Sequence, residues 1–242
     1  MTYRIIKLAA IIVGFMVLTS GCAHRAPYEE ASDPLQSVNR AVYKFNDSLD
    51  RHLLKPVAQG YQNVVPSPVK IGVRNFFSNL GEPLTIINDL LQGKPTVMLS
   101  DIMRFSFNST FGLGGVMDVA TGWDLPQHKE DFGQTLASWG VGGGWYLMLP
   151  FLGPSNVRDT LALPFNTSFD PIVYTEPVTR FPAGIIRVVS LRADLLNASQ
   201  VLDAAALDPY ISVREAYRQV RWNLIYDGDP PEPDFFDEVL LP

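Results

Sequence analysis

Cysteine is almost absent from this chain: Cys22 is the only one in 242 residues. An intrachain disulfide framework is therefore excluded. Histidine is nearly as scarce, and His24, His52 and His128 form neither an H-E-x-x-H helix nor a Cys/His set suited to zinc. No G-x-x-x-x-G-K-[ST] is present to cradle phosphates, and no G-x-G-x-x-G to hold a dinucleotide. Gly153-Pro154-Ser155-Asn156-Val157 begins like a nucleophile elbow but lacks the closing glycine. A lipid hydrolase using Ser155 with His128 is the nearest enzymatic reading, and His128-Lys129-Glu130-Asp131 reads more simply as a polar loop. No catalytic constellation, metal site or cofactor is expected.

Charge is also in short supply. Charged residues make up 18% of the chain, against about 25% in an ordinary soluble domain. The formal net charge is −6, with no basic patch to neutralise phosphates, so nucleic acid is not an expected partner. Asp227, Asp229, Glu232, Asp234, Asp237 and Glu238 crowd the last residues without a basic partner. The rest of the chain is close to neutral. It carries fewer charges than a water-facing surface usually needs.

What is present at the amino terminus is a secretion signal in three parts. Arg4 and Lys7 are the positive region, Leu8 to Thr19 is the apolar region, and Ser20-Gly21 supplies small residues for cleavage. The apolar run falls short of the about 20 residues that span a bilayer. Leu18-Thr19-Ser20-Gly21-Cys22 looks like a lipobox. Cleavage after Gly21 and acylation of Cys22 are expected, with Ala23 favouring delivery to the outer membrane of a Gram-negative cell. The domain reading is then a signal peptide over 1–21, a lipidated tether over 22–32, a helical domain over 33–226 and an acidic, proline-rich tail over 227–242.

Within the domain the apolar spacing is helical. Leu35, Val38, Val42, Phe45 and Leu49 follow Asp33-Pro34, a cap-plus-proline start. Val69, Val73, Phe76, Phe77 and Leu80 form a second stripe, expected to stop at Gly81-Glu82-Pro83, with a separate short helix over 85–91. Residues 96–110 and 183–202 read as helices, and Asp208-Pro209 opens another. Strand signals are weak throughout.

Residues 132–157 are 26 positions without one charge. Gly140, Gly142, Gly143, Gly144, Pro150, Gly153 and Pro154 forbid a plain helix there. Irregular backbone at membrane depth persists only where protein buries it or where it lines a wet cavity. The bland reading is a glycine-rich core loop of a soluble protein.

Taken in order, these segments resemble the MlaA (VacJ) family of outer-membrane lipoproteins. The resemblance rests on Asp33-Pro34-Leu35, Asn39-Arg40, Phe45-Asn46, the run Asn75 to Pro83, and Leu90-Leu91-Gln92-Gly93. It continues through Arg104-Phe105, Asn108-Ser109-Thr110, Gly112 to Gly115, Asp131 to Leu136 and Trp139 to Gly142. Leu149-Pro150, Leu152 to Ser155, Arg158-Asp159, Asp208-Pro209-Tyr210 and Arg214 to Tyr217 close it. Gly143-Gly144-Trp145 departs from the proline that many relatives carry.

The resemblance implies an all-α, ring-like bundle embedded in the inner leaflet of the outer membrane around a polar channel. It implies a non-enzymatic phospholipid channel that clears mislocalised phospholipids from the outer leaflet. The implied partners are phospholipids, a trimeric porin and a periplasmic lipid carrier. The 132–157 segment is the expected channel lining, through Phe132, Gly133, Trp139, Gly140, Gly142, Gly144, Trp145, Tyr146 and Pro150. The alternative is a structural porin-associated lipoprotein without transport.

Overall fold

The computed structural model of the chain describes residues 33–231. The signal segment, Gly21, Cys22, the tether over 22–32 and the tail from 232 lie outside the described residues.

The body is predominantly helical, as its periodicity predicts. Helix α1 (Gln36–Leu49) passes through a π-helical turn, Asp50–Leu54, directly into α2 (Lys55–Val64). The start of α1 differs from the expected cap. Leu35 precedes it, and the Asp33 carboxylate instead accepts from Asn39 Nδ2 at 2.9 Å and from the Tyr210 hydroxyl. One partner inside α1 and one on the last helix take that carboxylate from the local amides.

Helix α3 (Ser67–Gln92) runs unbroken through Pro83, which corrects the expected stop and the separate 85–91 helix. A proline inside a helix costs about 3 kcal/mol. Anchors on both sides of it hold the helix together. Asn79 Nδ2 bonds Ser109 Oγ at 3.0 Å, Glu82 pairs with Arg104 at 3.6 Å, and Thr85 Oγ1 accepts from the Glu130 amide at 3.5 Å. The helix ends with Gly93 in the left-handed conformation, its amide and that of Lys94 returning to Leu90 and Asp89 carbonyls.

Helix α4 (Pro95–Thr110) packs antiparallel to α3 after this tight turn. The loop that follows crosses α3 closely. Gly115 has φ +90°, and a Cβ there would lie 2.4 Å from Asn79 Cβ, so only glycine fits. A 3₁₀ turn, Ala120–Trp123, leads to a polar loop.

The charge-free segment is not one loop. It folds as α5 (Phe132–Ser138), a glycine turn, and an antiparallel hairpin of β1 (Tyr146–Leu149) with β2 (Gly153–Asn156), paired Tyr146 to Asn156 and Leu149 to Gly153. The hairpin supplies the little strand present among the described residues, in keeping with the weak strand signals. Its strands have four residues each and include Gly and Pro, so they carry little β signal of their own. Two asparagines one heptad apart on α1 hold it. Asn39 bonds the Tyr146 carbonyl (3.0 Å) and the Met148 amide (2.9 Å); Asn46 bonds the Leu149 carbonyl and the Phe151 amide (both 2.9 Å).

Helix α6 (Val157–Ser168) follows, capped by Asn156 through the Asp159 amide. The expected helix over 183–202 is two helices, α7 (Pro177–Asp194) and α8 (Leu196–Ala205). Arg192 spans the break, bonding Asp50 on the π turn at 2.7 Å and Ser199 on α8 at 3.2 Å. Helix α9 (Pro209–Ile225) has the predicted start, with Asp208 accepting from the Tyr210 and Ile211 amides.

The polarity of the body is inverted. Buried apolar clusters are small: Ala58, Ala193 and Leu196 in one place, Tyr146, Met148 and Tyr210 in another. Polar residues occupy much of the interior. On α3, Asn88 and Asp89 are 0% exposed while the adjacent Leu90 is 57% exposed. Near the start of that helix Val69 and Ile71 are about half exposed, while Val73, Phe76, Phe77 and Leu80 are half-buried. Among the described residues, no helix is long and apolar enough to cross a membrane.

Candidate functional site

The inward face of α3 is polar by design of its sequence. Asn75, Ser78, Asn79, Glu82 and Thr85 recur at steps of three and four, the spacing that stacks side chains on one helix face. Together with α4, the 118–130 loop and α7, this face encloses a cavity of about 510 Å³. Arg104 and Asn108 come from α4, Gln127, His128 and Glu130 from the loop, and Arg187, Ser190 and Asp194 from α7.

Its ionisable lining is balanced. Four carboxylates (Glu82, Asp118, Glu130, Asp194) face four cations (Arg74, Arg104, Lys129, Arg187). Depth separates some of them. Glu82 and Arg104 are almost fully buried, whereas Arg74 has a 54% exposed side chain and Arg187 a 35% exposed one. Arg104 is held by Asp118 Oδ2 at 2.6 Å, Thr121 Oγ1 at 3.1 Å and the Leu125 carbonyl at 2.7 Å. Asn108 braces the same loop, accepting from the amides of Val119 and Ala120.

Glu82 is less well provided. Its Oε2 and the Asn79 Oδ1 are buried without hydrogen-bond partners. Burial pushes the Glu82 carboxyl up to about 7, with the charge of Asp101 adding to this and that of Arg104 opposing it. Behind His128 lies a second acidic group. Asp101 Oδ1 is 2.9 Å from His128 Nδ1, and Asp89 sits beside Asp101 with no donor of its own. Burial, then the hydrogen bond and charge of Asp101, push the Asp89 carboxyl up to about 8. At neutral pH it therefore keeps a proton to offer Asp101. Glu130, in contrast, accepts from Gln92 at 2.7 Å and Lys94 at 3.1 Å.

None of the residues expected as channel lining borders this cavity. The structure brings several of them together elsewhere. Phe132 stacks on Phe165 with centroids 4.0 Å apart and meets Trp139 edge-on at 6.1 Å. Gly133 is buried where a Cβ would lie 2.4 Å from Asp159 Oδ1 and 2.5 Å from Arg221 Nη2. Tyr146 is buried against Tyr210 and Tyr217. Trp139 and Trp145 are both more than half exposed, Gly140, Gly144 and Pro150 are exposed, and Gly142 is half-buried.

Sequence reading missed the α3 stripe because polar residues at helical spacing read as a solvated face. The signal was there, since an equally clear apolar stripe lies on the other side of the same helix. The Ser155–His128 pair is not assembled either. Ser155 Oγ contacts Thr160 Oγ1 at 3.0 Å, and His128 Nδ1 is engaged by Asp101.

Fold and site together define a helical body of inverted polarity, with a charged, hydrogen-bonding cavity inside and apolar side chains outside. The chain belongs to the MlaA lipoprotein family, whose model matches residues 31–223. It is 35% identical over 237 residues to the intermembrane phospholipid transport system lipoprotein MlaA of Escherichia coli (strain K12), covering 94% of this chain and 92% of that protein. An uncharacterized protein of Rickettsia conorii is 38% identical over 195 residues, 79% of this chain and 77% of its own. A solved structure, from work on the structural basis for maintenance of bacterial outer membrane lipid asymmetry, superposes with a TM-score of 0.71 at 35% identity. That match covers 82% of this chain and 100% of the other.

Proposed function

We propose that this chain is a non-enzymatic phospholipid channel of the outer membrane. It takes mislocalised phospholipids from the outer leaflet and passes them to a periplasmic carrier, so that lipid asymmetry is kept. Cys22, acylated after cleavage at Gly21, tethers it to the membrane, and a trimeric porin holds the body in place. The observation that carries the reading is a cavity lined by charged and amide side chains together with Phe77, Leu84, Leu191 and Leu195, inside a body with many exposed apolar residues. A phospholipid crossing hydrocarbon must move a charged head group, and even an unpaired polar group costs several kcal/mol there. A cavity with carboxylates, guanidiniums and amides supplies partners, while the outward Val, Ile, Leu and Phe residues seat the body in the inner leaflet. The exposed Trp139 and Trp145 suit the head-group level, where aromatic rings concentrate. In this reading Gly140, Gly142, Gly144 and Pro150 shape the lipid path beside them, whereas Phe132, Gly133 and Tyr146 frame it. The chain has no nucleotide motif, so lipid runs downhill.

Gly81 lines the cavity, and a Cβ there meets nothing within 4 Å. Gly81→Trp therefore fills the cavity without a clash at Cβ. In the host this variant is expected to raise outer-leaflet phospholipid to the level of a gene deletion, at normal protein abundance. Gly60→Trp, equally unhindered and outside the cavity, serves as control. Normal lipid asymmetry with Gly81→Trp at full abundance would favour the purely structural, porin-associated alternative.

A further inference from the structure

The cavity carries more chemical information than a polar path needs. Three buried side-chain atoms of its lining lack hydrogen-bond partners: the acceptors Glu82 Oε2 and Asn79 Oδ1, and the donor Arg104 Nε, which already faces Glu82 Oε1 at 3.6 Å. Residues 82 and 79 are only 2% and 5% exposed, so water cannot freely satisfy them. Buried acceptors left unmatched cost about 1–3 kcal/mol each and call for a donor. A head group that brings N–H bonds would remove that cost. A choline ammonium brings none.

Charge narrows the choice further. Four carboxylates and four cations leave the lining with no formal excess, which suits a zwitterion better than a net anion. The order in depth gives the zwitterion a direction. The acceptors lie with the deeply buried Glu82, while Arg74 and Arg187 are partly exposed and pair with Asp194 at 3.7 Å and Asp170 at 2.5 Å, so a phosphate reaching them would share or displace those carboxylates.

We infer that the cavity is a head-group site selective for phospholipids bearing a primary ammonium, the ethanolamine class, with Glu82 Oε2 and Asn79 Oδ1 accepting N–H bonds from it. This rests on the phospholipid-channel reading above and adds the substrate preference. Glu82 is then a specificity-determining residue, with Arg104 Nε 3.6 Å from its other oxygen.

The test uses the full-length lipidated protein in detergent micelles and short-chain phospholipids with ethanolamine, N-methyl-, N,N-dimethyl- and trimethyl-ammonium (choline) head groups, plus phosphatidylglycerol. Binding is expected to weaken at each methylation, by about tenfold or more from ethanolamine to choline, as N–H donors to a charged acceptor are lost. Phosphatidylglycerol is expected to bind more weakly than the ethanolamine lipid. Glu82→Gln should compress the ethanolamine-to-choline ratio to less than about threefold while retaining binding. Equal binding of the whole methylation series by the wild-type protein overturns the inference and leaves the channel reading standing. Failure to bind any phospholipid overturns the channel reading and the inference with it. Because the series is run on the wild type, the outcome stands even where Glu82→Gln does not fold.

Discussion

Two regions of this protein reverse the roles that their composition suggests. The 132–157 segment has no charge and many glycines, yet both of its ends are pinned by one of the densest ion-pair networks in the body. Arg221 on α9 forms a bidentate pair with Asp131 (2.5 and 2.7 Å) and reaches Asp159 Oδ1 at 3.1 Å. Tyr217 adds a bond to Asp159 at 2.7 Å. The α3–α4 region is the opposite: its helices look like ordinary amphipathic core, and they enclose buried acids with orphan oxygens. The first region pairs its charged groups and leaves only neutral ones, Gln134 Oε1 and the Tyr146 hydroxyl, unmatched; the second leaves carboxylate oxygens of Glu82, Asp89 and Asp101 unmatched. Most buried polar groups are hydrogen-bonded, and an unmatched carboxylate oxygen calls for an explanation of its own.

The largest test of that contrast is Gly133→Ala. The new Cβ would strike Asp159 and Arg221 and open the network, leaving buried charges without partners. A loss of about 3–5 kcal/mol is expected, read from denaturant unfolding in detergent. A fully stable Gly133→Ala protein would show that the network does not hold the frame. Gly81→Trp, by contrast, should keep its stability and lose only transport.

The second test is pH. Glu82 in the folded protein titrates near 7, above its ordinary 4.5, and Asp89 near 8, above 3.8. Between those values the folded state binds more protons than the unfolded chain. Stability is therefore greatest below pH 4 for these two groups and falls as pH rises toward 7 and 8. Glu82 accounts for about 3 kcal/mol of that fall at 1.36 kcal/mol per pH unit. Urea midpoints of Glu82→Gln should be flatter than wild type between pH 5 and pH 8. Identical slopes would remove Glu82 as a strained acid.

The smallest effects belong to the hairpin clamp. Asn39→Ala leaves a buried amide and carbonyl unmatched and should cost about 2–3 kcal/mol. Asn46→Ala, at a more open position, should cost about 1 kcal/mol. Thermal melting compares the two; equal losses would mean burial does not set the difference.

Part of the fold was legible along the chain. Asp208-Pro209 marked the start of α9 because cap and proline act locally. Pro83 misled because its cost is local while the three anchors that offset it come from distant segments. The hairpin was invisible because its order comes from Asn39 and Asn46, about a hundred positions earlier in the chain.

By itself the sequence determined the helical class, the scarcity of charge and the run of segments that marks the family. Those are properties of composition, local capping and order. Only the tertiary structure decided which way each stripe faces. A helix with one polar and one apolar side has the same pattern whichever side is buried, and the choice depends on what the other helices bring to it. Here Arg104, Asn108, His128 and Arg187 bring polarity, so the polar side of α3 is the inside.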